Sequence, residues 1–138
     1  MVGSGAWFQA NFVRLGIHPG FALSRTLPSC VGTGRAAEIF LTARRVDAEE
    51  SLRIGIAQVG CDKGHEAACA LDLATQVAAA APLAVASTRA TLRHGVADDA
   101  REAMRHELAR QVELAGSADA IEGVRAVLEG RDPVFEGR

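Results

Sequence analysis

Between Ala10 and Ser24 the only titratable side chains are Arg14 and His18, within the run Ala10-Asn11-Phe12-Val13-Arg14-Leu15-Gly16-Ile17-His18-Pro19-Gly20-Phe21-Ala22-Leu23-Ser24. His18 could serve a pocket as a base or as a hydrogen-bonding group. The residues around it supply no carboxylate to orient it, since the first acidic residue of the chain is Glu38. A loop histidine bonded to backbone is the plainer alternative. Arg14, Arg25 and Arg35 could meet phosphates, or simply stay solvated. Cys61, His65 and Cys69 have the spacing C-x3-H-x3-C. On one continuous helix they would stack within reach of a single zinc. Gly64 and the segment around Asp62 argue against continuity and no fourth ligand is evident, so the expectation is no metal and idle or buried thiols. His94 and His106 fall on predicted helix surfaces.

The elements that must position these groups follow from pattern and punctuation. Trp7 to Val13 alternates loosely and predicts a strand. Gly16 to Gly20 breaks it into a turn of the kind that holds a loop tightly against a ligand. A short helix follows from Phe21 to Leu27, ending near Pro28. Arg35 to Ala43 aligns Ala36, Ile39, Phe40 and Ala43 on one helical face. Asp47 caps a short helix that Gly55 ends, and Ile56 to Val59 reads as extended. Ala67 to Ala80 predicts a helix with Ala70, Leu73, Ala74 and Val77 aligned. Pro82 suits the first turn of the next, which runs to Arg93. Asp98 or Asp99 caps a longer helix that carries Met104, Leu108 and Val112 at i, i+4 and i+8. Ser117 caps the last, with Ile121, Val124 and Leu128 inward. Gly130 to Arg138 is a polar tail with an apolar peg, Pro133-Val134-Phe135.

The 138 residues predict one region, mainly α with one or two short N-terminal strands. The apolar fraction is 49%, but aromatics make up only 4% and alanine dominates, which predicts close-packed helices around a thin core. With 15 basic and 17 acidic residues well mixed, no basic stripe with interleaved aromatics marks a nucleic-acid surface. The longest apolar run, Val77 to Ala86, is interrupted by Pro82 and falls short of the roughly 20 residues a membrane span needs. The first five residues lack the charged and apolar regions of a signal peptide. Three cysteines without framework spacing favour a reducing compartment. The expectation is a cytoplasmic protein with neither nucleic-acid nor membrane partner.

Five pieces in order resemble the crotonase (enoyl-CoA hydratase/isomerase) superfamily. Phe12 to Gly20 is similar to its "E-x-x-x-G-x-x-P-G" loop, and Leu27-Pro28 to Val31-Gly32 to its "R-L-P-x-x-V-G". Leu41 to Gly55 resembles "L-T-G-x-x-I-x-A-x-E-A-x-x-x-G-L". Ala81 to Val85 and Asp132 to Arg138 match further pieces of the family's C-terminal half. The resemblance implies the C-terminal half of a crotonase-like α/β fold. Its divisions would be a strand and active-site loop remnant over 1–20, a helical pocket-cover and oligomerisation region over 21–130, and a tail over 131–138. It also implies an acyl-CoA ligand of fatty acid metabolism, with coenzyme A as part of the substrate and no separate cofactor, and a trimer-type homo- or hetero-oligomer. Phe12, Leu15, Gly16 and His18 would bind substrate.

Family members stabilise an enolate with two backbone N–H donors. The "A-G-x-D-[LF]" and "G-G-G" segments that supply them do not occur in these residues. Phe12 stands where a catalytic glutamate is expected, and a phenyl ring carries no proton. No catalytic residue is therefore assigned, and the chain by itself is expected to be inactive or very weak as a hydratase. The alternative is a non-catalytic helical module that assembles with full-length crotonase paralogues, its apolar face otherwise uncovered. A zinc-bound helical domain is a third reading.

Overall fold

The computed structural model describes residues 1–138, which fall into two compact units. The first comprises residues 1–8 and 46–99, the second residues 9–45 and 100–138.

In the first unit, β1 (Val2–Gly3) pairs in parallel with β4 (Gly60–Cys61), Val2 opposite Gly60 and Gly3 opposite Cys61. Two further short strands, β2 (Trp7–Gln9) and β3 (Arg45–Asp47), carry the chain across the boundary between units. Beyond β3 lies α3 (Ala48–Ile54), whose N-cap Asp47 accepts from Glu50 N at 2.8 Å, and Gly55 ends it at φ 91°. Both ends fall where capping chemistry predicts. Val2, Val46, Ser51, Ile54 and Ala57 are buried there. α4 (Glu66–Ala78) and α5 (Pro82–Leu92) follow, with Pro82 in the first turn as expected, and neither has a buried residue. Of the residues aligned on α4, Leu73 and Val77 are 44% and 49% exposed. The extended piece expected over 56–59 is instead β4, one residue further on. α6 (Val96–Leu114) starts in this unit, and Asp98 and Asp99 occupy its first turn rather than its cap.

In the second unit the N-terminal strand is shorter than its pattern predicts. The predicted strand to Val13 stops at Gln9, and Phe12–Leu15 form one 3₁₀ turn closed by Gly16 at φ 68°. A left-handed glycine after such a turn satisfies the last carbonyls and ends any extended run. α1 (Leu23–Val31) passes through Pro28 rather than stopping at it. Proline's fixed φ is compatible with a helix, and the cost is its missing N–H bond together with crowding of the carbonyl four residues back. α2 (Thr33–Thr42) buries Ala36 and Ile39 on the predicted face, with Ala43 buried at its end.

α7 (Ala118–Glu129) overturns the inward face assigned to it, and the aligned apolar row of α6 is exposed as well. Met104, Leu108 and Val112 are 51–68% exposed, as are Ile121, Val124 and Leu128 at 52–82%. The buried residues are Glu107 on α6 and Ala120, Gly123 and Ala126 on α7. The reason is backbone-to-backbone contact. A Cβ built on Gly123 would lie 2.5 Å from the Leu15 carbonyl carbon, and one on Gly16 2.6 Å from the Asp119 carbonyl. Only small residues allow this approach, so the small face of α7 turns inward. Ser117 caps α7 as predicted, accepting from Ala120 N. The alanine-built thin core is as expected: only Glu107, Val46 and Ser51 are the large side chains with essentially no exposure.

The tail is not anchored by its apolar peg, since Val134 and Phe135 remain 72% and 41% exposed. Carboxylates hold it instead. Asp119 accepts from Glu136 N and Gly137 N, and Glu122 accepts from Val134 N and from the Arg131 guanidinium. The hydrogen bonds from Arg131, then that from Val134, lower the Glu122 carboxyl from 4.5 to about 2. A depressed folded value stabilises the anchored tail above the usual carboxylate range, and that contribution is lost as pH falls through about 2. An NMR titration of the Glu122 carboxyl should therefore place its midpoint near 2. A midpoint near 4.5 would show that the clasp does not form.

Candidate functional site

The Gly16–Gly20 segment forms one side of an apolar groove of about 460 Å³ lying wholly in the second unit. Val13, Ile17, His18 and Pro19 line it from the turn, Ser24 and Pro28 from α1, Thr33, Ala36, Ala37, Phe40 and Leu41 from α2, and Leu114 from the end of α6. The turn takes its shape from local hydrogen bonds, Arg14 N to Asn11 O at 3.1 Å, Gly16 N to Val13 O at 3.3 Å and Ile17 N to Phe12 O at 3.1 Å.

His18 is the one ionisable side chain in this lining. Its Nδ1 lies 2.7 Å from the Pro19 carbonyl oxygen. A carbonyl only accepts, so Nδ1 must be the protonated nitrogen and Nε2 the one left for another partner. The ring also sits edge-on to His106 at 6.1 Å, and the His18 carbonyl accepts from Gln111 Nε2 at 2.9 Å. The groove therefore offers an apolar trough with one polar nitrogen. No carboxylate lines it, so nothing in it could drive an acid–base pair.

Of the four residues singled out in the sequence, His18 alone lines the groove. Phe12 is half-buried in the 3₁₀ turn, while the backbone of Leu15 and Gly16 lies against α7. Arg14 is engaged with Asp132 at 2.7 Å, and Arg35 is exposed.

In the first unit, Cys61 is in β4 whereas α4 begins at Glu66, so the continuous helix that would align Cys61, His65 and Cys69 does not form. No group of three or more His, Cys, Asp or Glu is placed to hold a metal ion. Hydrogen bonding to Cys69, with some burial, pushes the Cys61 thiol up to about 11, which keeps it protonated at neutral pH.

The residue the sequence did not point to is Glu107. It is 1% exposed, and its carboxylate accepts from Ala22 N at 2.7 Å, Ser24 N at 2.9 Å and Ser24 Oγ at 2.6 Å. Ala22 N and Ser24 N are backbone donors at the start of α1, which has no side-chain cap of its own. A carboxylate suits a helix N-terminus through both charge and hydrogen bonding.

No single helix is long and apolar enough to cross a membrane. The family model described as enoyl-CoA hydratase/isomerase matches residues 1–138. A carnitinyl-CoA dehydratase of Citrobacter koseri is 36% identical over 137 residues, covering 96% of this chain and 52% of that protein. Among solved structures, an enoyl-CoA hydratase/isomerase from Pseudoalteromonas atlantica superposes with a TM-score of 0.86 at 31% identity, over 97% of this chain and 54% of that one. A carnitinyl-CoA hydratase from Mycobacterium avium gives a TM-score of 0.85 at 25% identity, over 99% and 54%. The chain spans about half the length of the curated relatives it matches.

Proposed function

The chain belongs to the enoyl-CoA hydratase/isomerase family, and we propose that its groove is one wall of a pocket for the acyl part of an acyl-CoA thioester. The observation that carries this reading is the groove itself: an apolar trough built on the Gly16–Gly20 turn, with His18 as its one ionisable side chain. An acyl chain is matched by the aliphatic lining, and the unprotonated Nε2 of His18 can accept a hydrogen bond from an amide N–H of the pantetheine arm. Phe12, Leu15 and Gly16 support that wall from the turn, Leu15 and Gly16 by their close fit to α7. Coenzyme A enters as part of the substrate and no other cofactor is needed. The unframed cysteines support a cytoplasmic setting.

A polypeptide of these 138 residues is not a hydratase on this reading. Water addition needs a proton-transferring pair and a developing-charge stabiliser. The groove has one imidazole and no carboxylate. Mixing the chain with crotonyl-CoA should leave the absorbance of the conjugated thioester unchanged. Turnover comparable to a full-length hydratase would refute the reading.

A second reading has its own support, a helical module that assembles with full-length paralogues or with its own copies in a trimer-type oligomer. Leu83, Leu92, Leu108, Val112 and Leu128 are all 61% exposed or more, an unusual display of large aliphatic side chains. A monomer that unfolds in one cooperative step at micromolar concentration would contradict it.

A further inference from the structure

Phe21 and Ala22 are consecutive non-glycine residues in the left-handed region, at φ 63° and 58°. L side chains resist this conformation, so two in succession persist only when the surroundings hold them. The local sequence provides no such hold, because α1 lacks a side-chain cap of its own. The hold comes from α6. Glu107 takes the N–H of Ala22 and both donors of Ser24, closing over the far side of the strained pair. One helical turn further along α6, Gln111 donates to the carbonyl of His18 on the near side. The fit is close, since a Cβ on Gly20 would lie 2.8 Å from Gln111 Nε2. The segment from His18 to Ser24 is thus gripped at both ends by side chains four residues apart on one helix face.

We propose that Glu107 is a positioning residue. By holding the left-handed pair it sets where the His18 ring faces the groove, and Gln111 fixes the other end of the same segment. The inference rests on the reading of the groove as an acyl-CoA wall for its functional meaning, but the positioning itself can be tested without ligand.

The test is E107Q in the full chain. Glutamine keeps the size but turns an NH2 group toward one of the donors, which it cannot accept from. Amide exchange at Ala22 and Ser24 should accelerate by about ten-fold or more, the range expected when a charged hydrogen bond is lost. Exchange at Ala36 and Ile39 in α2 should not change. The His18 ring signal should shift in the free protein while those of His65 and His94 stay in place. Adding F21G should recover part of the lost protection, because glycine adopts the left-handed conformation unaided. Should E107Q not fold, S24A removes one donor and predicts the same pattern at smaller amplitude. Uniform acceleration across all amides, no acceleration, or an unmoved His18 signal would overturn the proposal. Butyryl-CoA separates the two layers. If the wild-type chain does not bind it, the groove reading fails, while the exchange pattern and His18 signal still decide the role of Glu107.

Discussion

Gly123→Ala is expected to destabilise the second unit by about 3 kcal/mol, at the upper end of what overpacking usually costs. The added methyl would sit 2.5 Å from the carbonyl carbon of Leu15 and 2.7 Å from its Cα. Neither neighbour is a flexible side-chain end that can swing aside. The strain must move α7 or the 3₁₀ turn as a body, and that turn carries Val13 into the groove. Stability and groove geometry should therefore fail together, read as a drop in unfolding free energy and a shift of the Val13 and Ile17 methyl signals. The contrast is Gly34→Ala in α2, where a Cβ meets nothing within 4 Å. Helix propensity then favours alanine, and a gain of about 0.5–1 kcal/mol is expected. Equal effects from the two substitutions would mean that close approach of backbones is not what seats α7.

Ala37→Trp carries the largest expected effect on ligand binding. Ala37 is exposed and lines the groove from α2, so an indole there projects into open space and should cost little stability. It would occupy the trough that the acyl chain is proposed to use. Affinity for butyryl-CoA should fall by about ten-fold or more, on the order of 1.4 kcal/mol, with the unfolding midpoint nearly unchanged. Binding that survives the substitution would place the acyl chain elsewhere.

Much of the fold was readable because local chemistry fixed it. Asp47 and Ser117 mark helix starts through hydrogen bonds to residues three positions on, and Gly55 marks an end by its left-handed backbone. Ala36, Ile39 and Ala43 repeat on one face of α2 and are buried there. What escaped the sequence is long-range. The partners of Glu107 lie 85 and 83 residues away, and a glutamate in a helix otherwise marked by Met104 and Leu108 reads as solvent-facing. The same periodicity rule assigned the wrong face to α7. It looks for large apolar side chains, whereas the contact that seats α7 requires Ala120, Gly123 and Ala126 to be small. The large residues stay outside, on faces that this chain does not cover by itself. At the site, the turn and His18 were legible, but not the groove's α2 wall or the clamp from α6.

An NMR titration of the full chain with butyryl-CoA tests the central claim most directly. The account predicts saturable shifts at His18, Ala36, Ala37 and Phe40, with Ala84 and Leu92 of α5 unaffected. Absence of shifts in the groove, or shifts confined to α5, would contradict it.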